Sequence, residues 1–515
     1  MKPEALEAIF CELEDRLEYG ALGSQRFLPH DVLDTVITAD RLRVAFSSRL
    51  SFGSSSLAKG VAQHARKVFA ILSFIGEPES IEDLWRQGLR DEHLPLSTGS
   101  DPKTRAKLVT ADGKAFSAWK TAAKASDFVA TQWLVQAPVF DTTGLHFPLD
   151  INCAMPFVDS DEIGGGAYSY VYKCEVHQAH QKGLKVEDGK TYVAVKQFKL
   201  NTDPEAFEKE RLNLENLKSL QHRHMIRHHA TCKADKTYYA IFPWADGGNL
   251  WEYWRNSDHK PRTPDLAVWT IRQMLGLARA LEALHERNCR HGDLKPENIL
   301  RFNASTDPIL VIGDVGVSRF HTKDTFLRNE QTKTAATTPS YQAPEVDGAA
   351  NKARSRTYDI WSFGCIALEF AIWYLWDFNS VTSFQQARVA PDKYCYCYEK
   401  NKSGDMEVHP KVVEAITSLL GDPRCDEDTP WGRLLILIRD RLLQVDVEKR
   451  AKAEELVAKL QDIVDKIEAP GSSTYTGTVA AVPKPEIFRS KEKRPSNHGP
   501  KDSVMETSSF AFSGA

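Results

Sequence analysis

The chain is predicted to fold as an α+β protein: a small antiparallel sheet lobe precedes a larger helical lobe, and a mostly helical region precedes both. Three observations carry this. The runs "YSYVYKCEV" and "TYVAVKQFKL" are β-branched and aromatic, and the polar stretch "HQKGLKVEDGK" lies between them. That is the pattern of two strands joined by a hairpin loop. After residue 205, helical periodicity dominates in "PEAFEKERLNLENLKSL", "DLAVWTIRQMLGLARALEALHERN", "SRTYDIWSFGCIALEFAIWYL" and "AEELVAKLQDIVDKI", with short strands "YYAIFPW" and "ILVIGD" between them. Ahead of residue 150, apolar residues recur at three- and four-residue spacing without a catalytic constellation.

Taken in order, residues 4–18 place Leu6, Ile9, Phe10, Leu13 and Leu17 on one helical stripe, and Pro3 stands where a first-turn proline is tolerated. Val61, Ala65, Val68, Leu72 and Ile75 predict a second helix across 57–75. Ser80 and Asp83 read as a capping box opening a short helix through Leu84 and Trp85. Three parts result: an N-terminal mostly helical region at 1–150, a two-lobed domain at 157–465, and a tail at 469–515. The tail is rich in Pro, Gly, Ser and Lys and poor in large apolar residues, so it is expected to be disordered.

Bulk properties narrow the function. A formal net charge of -4 over 515 residues gives no reason to expect nucleic acid as a partner. The nine cysteines are scattered without paired CxxC elements, which points to reduced thiols in a cytoplasmic or nuclear protein. The N-terminus "MKPEALEAIFCELED" is acidic and amphipathic, unlike a signal or transit peptide. The longest apolar run, "IALEFAIWYLW", is short and contains Glu369, so no membrane span is expected.

The chemistry-bearing residues begin with "IGGGAYSYVYKCEV". Gly164, Gly166 and Ser169 ahead of Val171 fit G-x-G-x-x-[G/S]-x-V between two strands. Glycines let backbone N–H groups approach phosphate oxygens. A strand rather than a helix follows, which separates this turn from a dinucleotide-binding one. Lys196 closes "VAVK"; a cation there would hold α/β-phosphates if a helix carboxylate pinned it. The next helix offers Glu208, Glu210 and Glu215. Glu210 is favoured because Leu214 and Leu217 share its face, and Glu215 is the alternative.

Farther on, "CRHGDLKPENIL" supplies Asp293, Lys295 and Asn298, and Asp314 sits between Gly313 and Gly316. Phosphoryl transfer needs a group to orient the attacking hydroxyl, a cation against the γ-phosphate, and hard oxygen donors for Mg²⁺. These four residues are of those types.

This ordered set resembles the eukaryotic protein kinases of the serine/threonine type. The resemblance extends through "PSYQAPE", ending in Glu345, and "DIWSFGC", where Asp359 would brace the catalytic loop. It also includes Arg450 in "VDVEKRAKAEEL", similar to the family arginine that pairs with that glutamate. It implies a two-lobed kinase fold with ATP and Mg²⁺ as cofactors and proteins as substrates. Asp293 and Lys295 would be catalytic, and Asn298 and Asp314 would bind metal. Ile163, Gly164, Gly165, Gly166, Ala167, Tyr168, Ser169, Val171, Ala194, Lys196 and Glu210 would surround ATP. Phe242 would line the back of the adenine pocket, and Pro243, Trp244 and Ala245 would form the hinge. Lys295 within "DLKPEN" and Thr338 are similar to the serine/threonine version of the family. Thr332, Thr334 and Thr337 are candidate phosphosites of the activation segment.

Two family motifs are altered: "HRD" is "HGD" here, and "DFG" is "DVG". Gly292 removes the arginine that commonly clamps a phosphorylated activation segment, so basal activity independent of such phosphorylation is expected. The alternative reading is a pseudokinase, a nucleotide-binding scaffold without transfer. The retained Lys196, Asp293, Asn298 and Asp314 favour catalysis. The N-terminal helices, with "ARKVFAILSFIGEPESIEDLWRQGLRDEHLPL", are similar to segments ahead of the kinase domain in serine/threonine kinases of filamentous fungi. That similarity implies no particular activity; a protein-interaction or regulatory module is expected.

Overall fold

In the computed structural model, the residues described are 1–47, 54–101, 104–165, 169–198, 204–234, 237–259, 261–303, 307–314, 319–320, 339–348, 355–392, 394–469 and 482–489. They form two units: Met1–Thr202 with His228–Trp244, and Asp203–Arg227 with Ala245–Ala515.

The first unit is built around a six-stranded sheet. Its spatial order is Leu145–Leu149, Ala230–Ala234, Thr237–Pro243, Thr191–Phe198, Ser169–Val176, Phe157–Gly165. All neighbours are antiparallel except the first pair, where Leu145–Leu149 runs parallel to Ala230–Ala234. The span expected to be helical ahead of 150 thus also contributes a strand, and Pro148 is tolerated in it because the strand lies at the edge. One sheet face buries Val193, Val195, Cys174, Val176, Tyr239 and Ile241 against Phe140, Met155 and Phe157. The chain ahead of the sheet is tied to its other edge: the Ala21 N–H donates to the Phe157 carbonyl at 2.7 Å, and the Ser160 hydroxyl donates to the Ala21 carbonyl at 3.3 Å.

The N-terminal helices bury their stripes in a separate core that includes Ile9, Leu13, Leu33, Leu42, Val61, Val68, Phe69, Leu72, Leu84 and Phe128. Pro3 occupies the first turn of helix Pro3–Asp15. The helix expected across 57–75 is instead two, Ser54–His64 and Arg66–Phe74, because Ala65 leaves the helical region (φ −146°, ψ 33°). The second begins afresh under the Asp91 carboxylate, which accepts from the Lys67 and Val68 N–H groups at 3.1 and 3.0 Å. An anion at that point satisfies orphan donors and the helix dipole together. Ser80 does not open a capping box. It ends the 3₁₀ turn Pro78–Ser80 with helical dihedrals (φ −65°, ψ −14°), so the chain enters Ile81–Arg86 already coiled. Its hydroxyl donates to Glu77 instead.

The second unit is mainly helical. Helix Pro264–Glu286 starts at Pro264, with the Thr263 hydroxyl accepting from the Leu266 N–H. Helix Thr357–Leu375 is buried along nearly its whole length and forms the centre of the unit. No helix among the described residues is long and apolar enough to cross a membrane. The expectation of disorder after 469 does not hold for 482–489. There Ile487 and Phe488 are buried, the Phe488 ring meets Phe384, and Lys484 pairs with Asp377. The adjacent apolar pair Ile487 and Phe488 supplies the burial that holds this short stretch. The rest of the tail lies outside the described residues.

Candidate active site

In the first unit, strand register assembles one group of candidates. Lys196 is directly opposite Val171 on one side and Ala240 on the other, and Ala194 is opposite Lys173 and Phe242. Opposed residues project to the same side of a sheet, and so do residues two apart. Val171, Ala194, Lys196 and Phe242 therefore share one face, the reverse of the face that buries Val193 and Val195. The Lys196 ammonium lies 5.5 Å from the Phe198 ring centre. Strand Phe157–Gly165 carries Ile163, Gly164 and Gly165, and Ser169 opens the next strand. Gly166, Ala167 and Tyr168 lie outside the described residues. Pro243 ends strand Thr237–Pro243, and Trp244 follows with its ring 5.1 Å from the Lys173 ammonium.

In the second unit, Ala245 is buried. Helix Pro204–Lys218 carries Glu208 together with the two candidate lysine partners, Glu210 and Glu215. Glu208 pairs with Arg211 and Glu215 with Lys218 along that helix, while the side chain of Glu210 lies outside the described ones.

The remaining candidates form a tight hydrogen-bonded group in the second unit. Asp293, Lys295 and Asn298 are all buried. The Lys295 ammonium is 3.2 Å from the Asp293 carboxylate. The Asn298 amide nitrogen donates to the Asp293 carbonyl at 2.8 Å and to its carboxylate at 3.2 Å. Three side chains brought together by so short a loop need external bracing, and Asp359 provides it. Its fully buried carboxylate accepts from the His291 and Gly292 N–H groups, both at 2.8 Å, and meets His285 Nε2 at 2.9 Å. Burial alone would raise this carboxyl; the His285 hydrogen bond and charge, with the Gly292 N–H, outweigh it and hold Asp359 below the usual carboxylate range.

Gly292 has φ +87°, a left-handed conformation that glycine adopts without steric cost. The altered "HGD" motif thus places a glycine where the backbone bends to reach Asp359. A second tie joins this loop to the next: His291 Nε2 is 2.8 Å from the Gly313 carbonyl, and the Gly313 N–H donates to the Asn298 carbonyl at 2.8 Å. Asp314 follows directly, exposed, at φ +45°. The donor set suits Mg²⁺. The amide nitrogen of Asn298 is committed to Asp293, which presents its oxygen as a hard donor, and Asp314 adds a carboxylate on the tethered neighbouring loop.

Arg450 and Glu345 form a bidentate pair with both contacts at 3.0 Å, and Arg450 also donates to the Thr357 and Gln444 carbonyls. Thr332, Thr334, Thr337 and Thr338 lie outside the described residues. Sequence reasoning missed His285 and His291, which orient Asp359 and link the two loops. Nothing local marked His285, because its partner is 74 residues away.

Residues 157–460, more than half of the chain, match the protein kinase domain. The chain belongs to the protein kinase family. It is similar to calcium/calmodulin-dependent protein kinase type 1 of Macrobrachium nipponense, 30% identical over 236 residues, which are 45% of this chain and 61% of that protein. It is similar also to serine/threonine-protein kinase atg1 of Dictyostelium discoideum, 32% identical over 222 residues, 42% of this chain and 30% of that one. A calcium/calmodulin-dependent protein kinase of Metarhizium anisopliae is 33% identical over 153 residues, 30% of this chain and 37% of the relative. The chain spans less than two thirds of the length of each.

Proposed function

We propose that the protein transfers the γ-phosphate of ATP to serine and threonine hydroxyls of protein substrates. The observation that carries this reading is the buried Asp293–Lys295–Asn298 group, held to Asp359 on one side and to the Asp314 loop on the other. Asp293 accepts a hydrogen bond from the substrate hydroxyl and aims its oxygen. Lys295, already against Asp293, neutralises the phosphoryl oxygens as charge builds there. Asn298 and Asp314 hold magnesium, which supplies positive charge against the phosphate oxygens when bound. Lys196 holds the α/β-phosphates from its sheet face, where Val171, Ala194 and Phe242 supply an apolar bed for adenine. The serine/threonine preference rests on Lys295 within "DLKPEN". Basal activity does not depend on activation-segment phosphorylation, because position 292 has no side chain to receive the phosphate; the N-terminal region is a regulatory or protein-interaction module.

Calorimetry and turnover together test the division of roles. Asp293→Asn should leave MgATP affinity nearly intact while turnover falls by ~10²–10⁴-fold. Asp314→Asn should weaken the Mg²⁺-dependent part of nucleotide binding as well. Equal effects of the two substitutions on binding would contradict the assignment. MgATP binding by wild type without any transfer would favour the scaffold reading.

A further inference from the structure

The second unit holds a buried group of side chains that phosphotransfer does not use. Cys365 lies on helix Thr357–Leu375 and Cys397 immediately precedes strand Tyr398–Lys400; they are 1% and 2% exposed. Their side chains are hydrogen-bond partners. The Arg388 guanidinium, also buried, donates to the Cys397 sulfur at 2.9 Å and to the Cys395 carbonyl at 3.0 Å. Its other arm reaches Glu369 at 3.4 Å. Glu369 is shared, because its carboxylate also accepts from the Tyr341 hydroxyl at 2.8 Å and the Gln385 amide at 2.9 Å.

A buried guanidinium needs a close, dedicated anion. Glu369 is divided among three donors, and burial raises its carboxyl against the pull of Arg388. The Cys397 sulfur is the nearer acceptor. The hydrogen bond from Cys365 lowers the Cys397 thiol below its ordinary value; burial opposes this and the Arg388 charge supports it. Burial, followed by the Cys397 contact, raises Cys365 instead. One sulfur thus lies against a guanidinium at 2.9 Å, and the other contacts that sulfur from the helix side. That is how an attacking and a resolving cysteine are arranged.

We propose that Cys397 and Cys365 are a peroxide-responsive dithiol that closes to a disulfide and thereby loosens the seat of residues 339–342. The Cys397 thiolate attacks one oxygen of hydrogen peroxide; the O–O bond breaks and the departing hydroxide takes a proton to leave as water. Cys397 is now a sulfenic acid. The Cys365 sulfur attacks it, the S–O bond breaks, and a second water leaves with the proton of the Cys365 thiol. The two sulfurs lose two electrons in all, and one peroxide gains them. Local opening of the 394–400 stretch, where Cys395 is partly exposed, admits the small oxidant.

Closure takes the Cys397 sulfur from Arg388 as an acceptor, and Arg388 then draws on Glu369 in competition with Tyr341. Two further contacts carry the change to the same place. The Cys395 thiol donates to the Ser340 hydroxyl at 3.1 Å, and Gln342 donates to the hydroxyl of Tyr398, next to Cys397, at 2.7 Å.

The test treats the full chain with hydrogen peroxide, alkylates it in denaturant, and maps non-reduced peptides by mass spectrometry. Exposed Cys11 reports that oxidant was present. The expected result is a Cys365–Cys397 linked peptide that dithiothreitol removes. Phosphotransfer should drop about tenfold, a modest change in barrier, and recover on reduction, and Cys365→Ser should abolish both the link and the drop. Alkylated Cys365 and Cys397 in a sample whose Cys11 is oxidised would overturn the proposal. So would a link from Cys397 to Cys395 in place of Cys365. The linked peptide is read without any activity, so an inert enzyme would count against the kinase reading and leave this test standing.

Discussion

The sheet face around Lys196 and the loop around Asp293 place their candidate side chains by different means. On the sheet, Val171, Ala194, Lys196 and Phe242 share a face because the backbone ladder sets their register. In the loop, Asp293, Lys295 and Asn298 have no ladder. Side-chain contacts hold them to one another, and the backbone beside them is tied to the Asp359 carboxylate and to Gly313. The difference teaches where each site is fragile: a ladder tolerates loss of one side chain, whereas a loop held by a few ties, with Asp359 as its buried anchor, does not.

The largest effect is therefore expected at that anchor. Asp359→Asn should cost ~3–5 kcal/mol of stability, the usual cost of breaking a buried charged partnership, and should cut turnover with it. Lys196→Ala should change stability by no more than about 1 kcal/mol while removing most phosphotransfer. Urea melts of both variants check this, and equal destabilisation would break the contrast between ladder and anchor. The acid limb sharpens it. Because the Asp359 carboxyl is depressed in the native state, the unfolded chain binds more protons between the two pKa values. Its contribution is complete above the unfolded pKa of about 4 and is lost as pH falls through the lower native one. Wild type should show that loss on acidification, and Asp359→Asn should lack this component.

A smaller effect is expected at Gly292. A Cβ at φ +87° is strained, so Gly292→Ala should cost ~1–2 kcal/mol, read as a shift in urea midpoint at unchanged slope. No loss of stability would mean that the loop bends elsewhere. The smallest effect is expected from the triple Thr332/Thr334/Thr337→Ala variant. Its basal rate should equal that of phosphate-free wild type, as confirmed by mass spectrometry. A phosphate-free enzyme that is inert and gains ~100-fold on modification would overturn the reading of Gly292.

What the sequence revealed follows the same division. Strand alternation in "TYVAVKQF" and the tight order of Asp293, Lys295, Asn298 and Asp314 are local signals, and both were legible. The bracing of the Asp293 loop was legible only in part. Asp359 was named through a family resemblance, but its partner His285 is distant in sequence and looks like any helix residue. The break at Ala65 was hidden for the same reason, since the carboxylate that restarts the helix belongs to Asp91. Strand Leu145–Leu149 was masked by its proline, and the packed stretch at 482–489 by the polar residues around Ile487 and Phe488.

The central claim is that the second unit's loop performs phosphoryl transfer, and labelled transfer tests it most directly. Full-length protein is incubated with γ-labelled ATP, Mg²⁺ and matched peptides that carry serine, threonine or tyrosine, beside an Asp314→Ala control. The account predicts label on the serine and threonine peptides, none above background on tyrosine, and none with Asp314→Ala. Label at the wild-type rate with Asp314→Ala, or no label from folded wild type that binds MgATP, would contradict it.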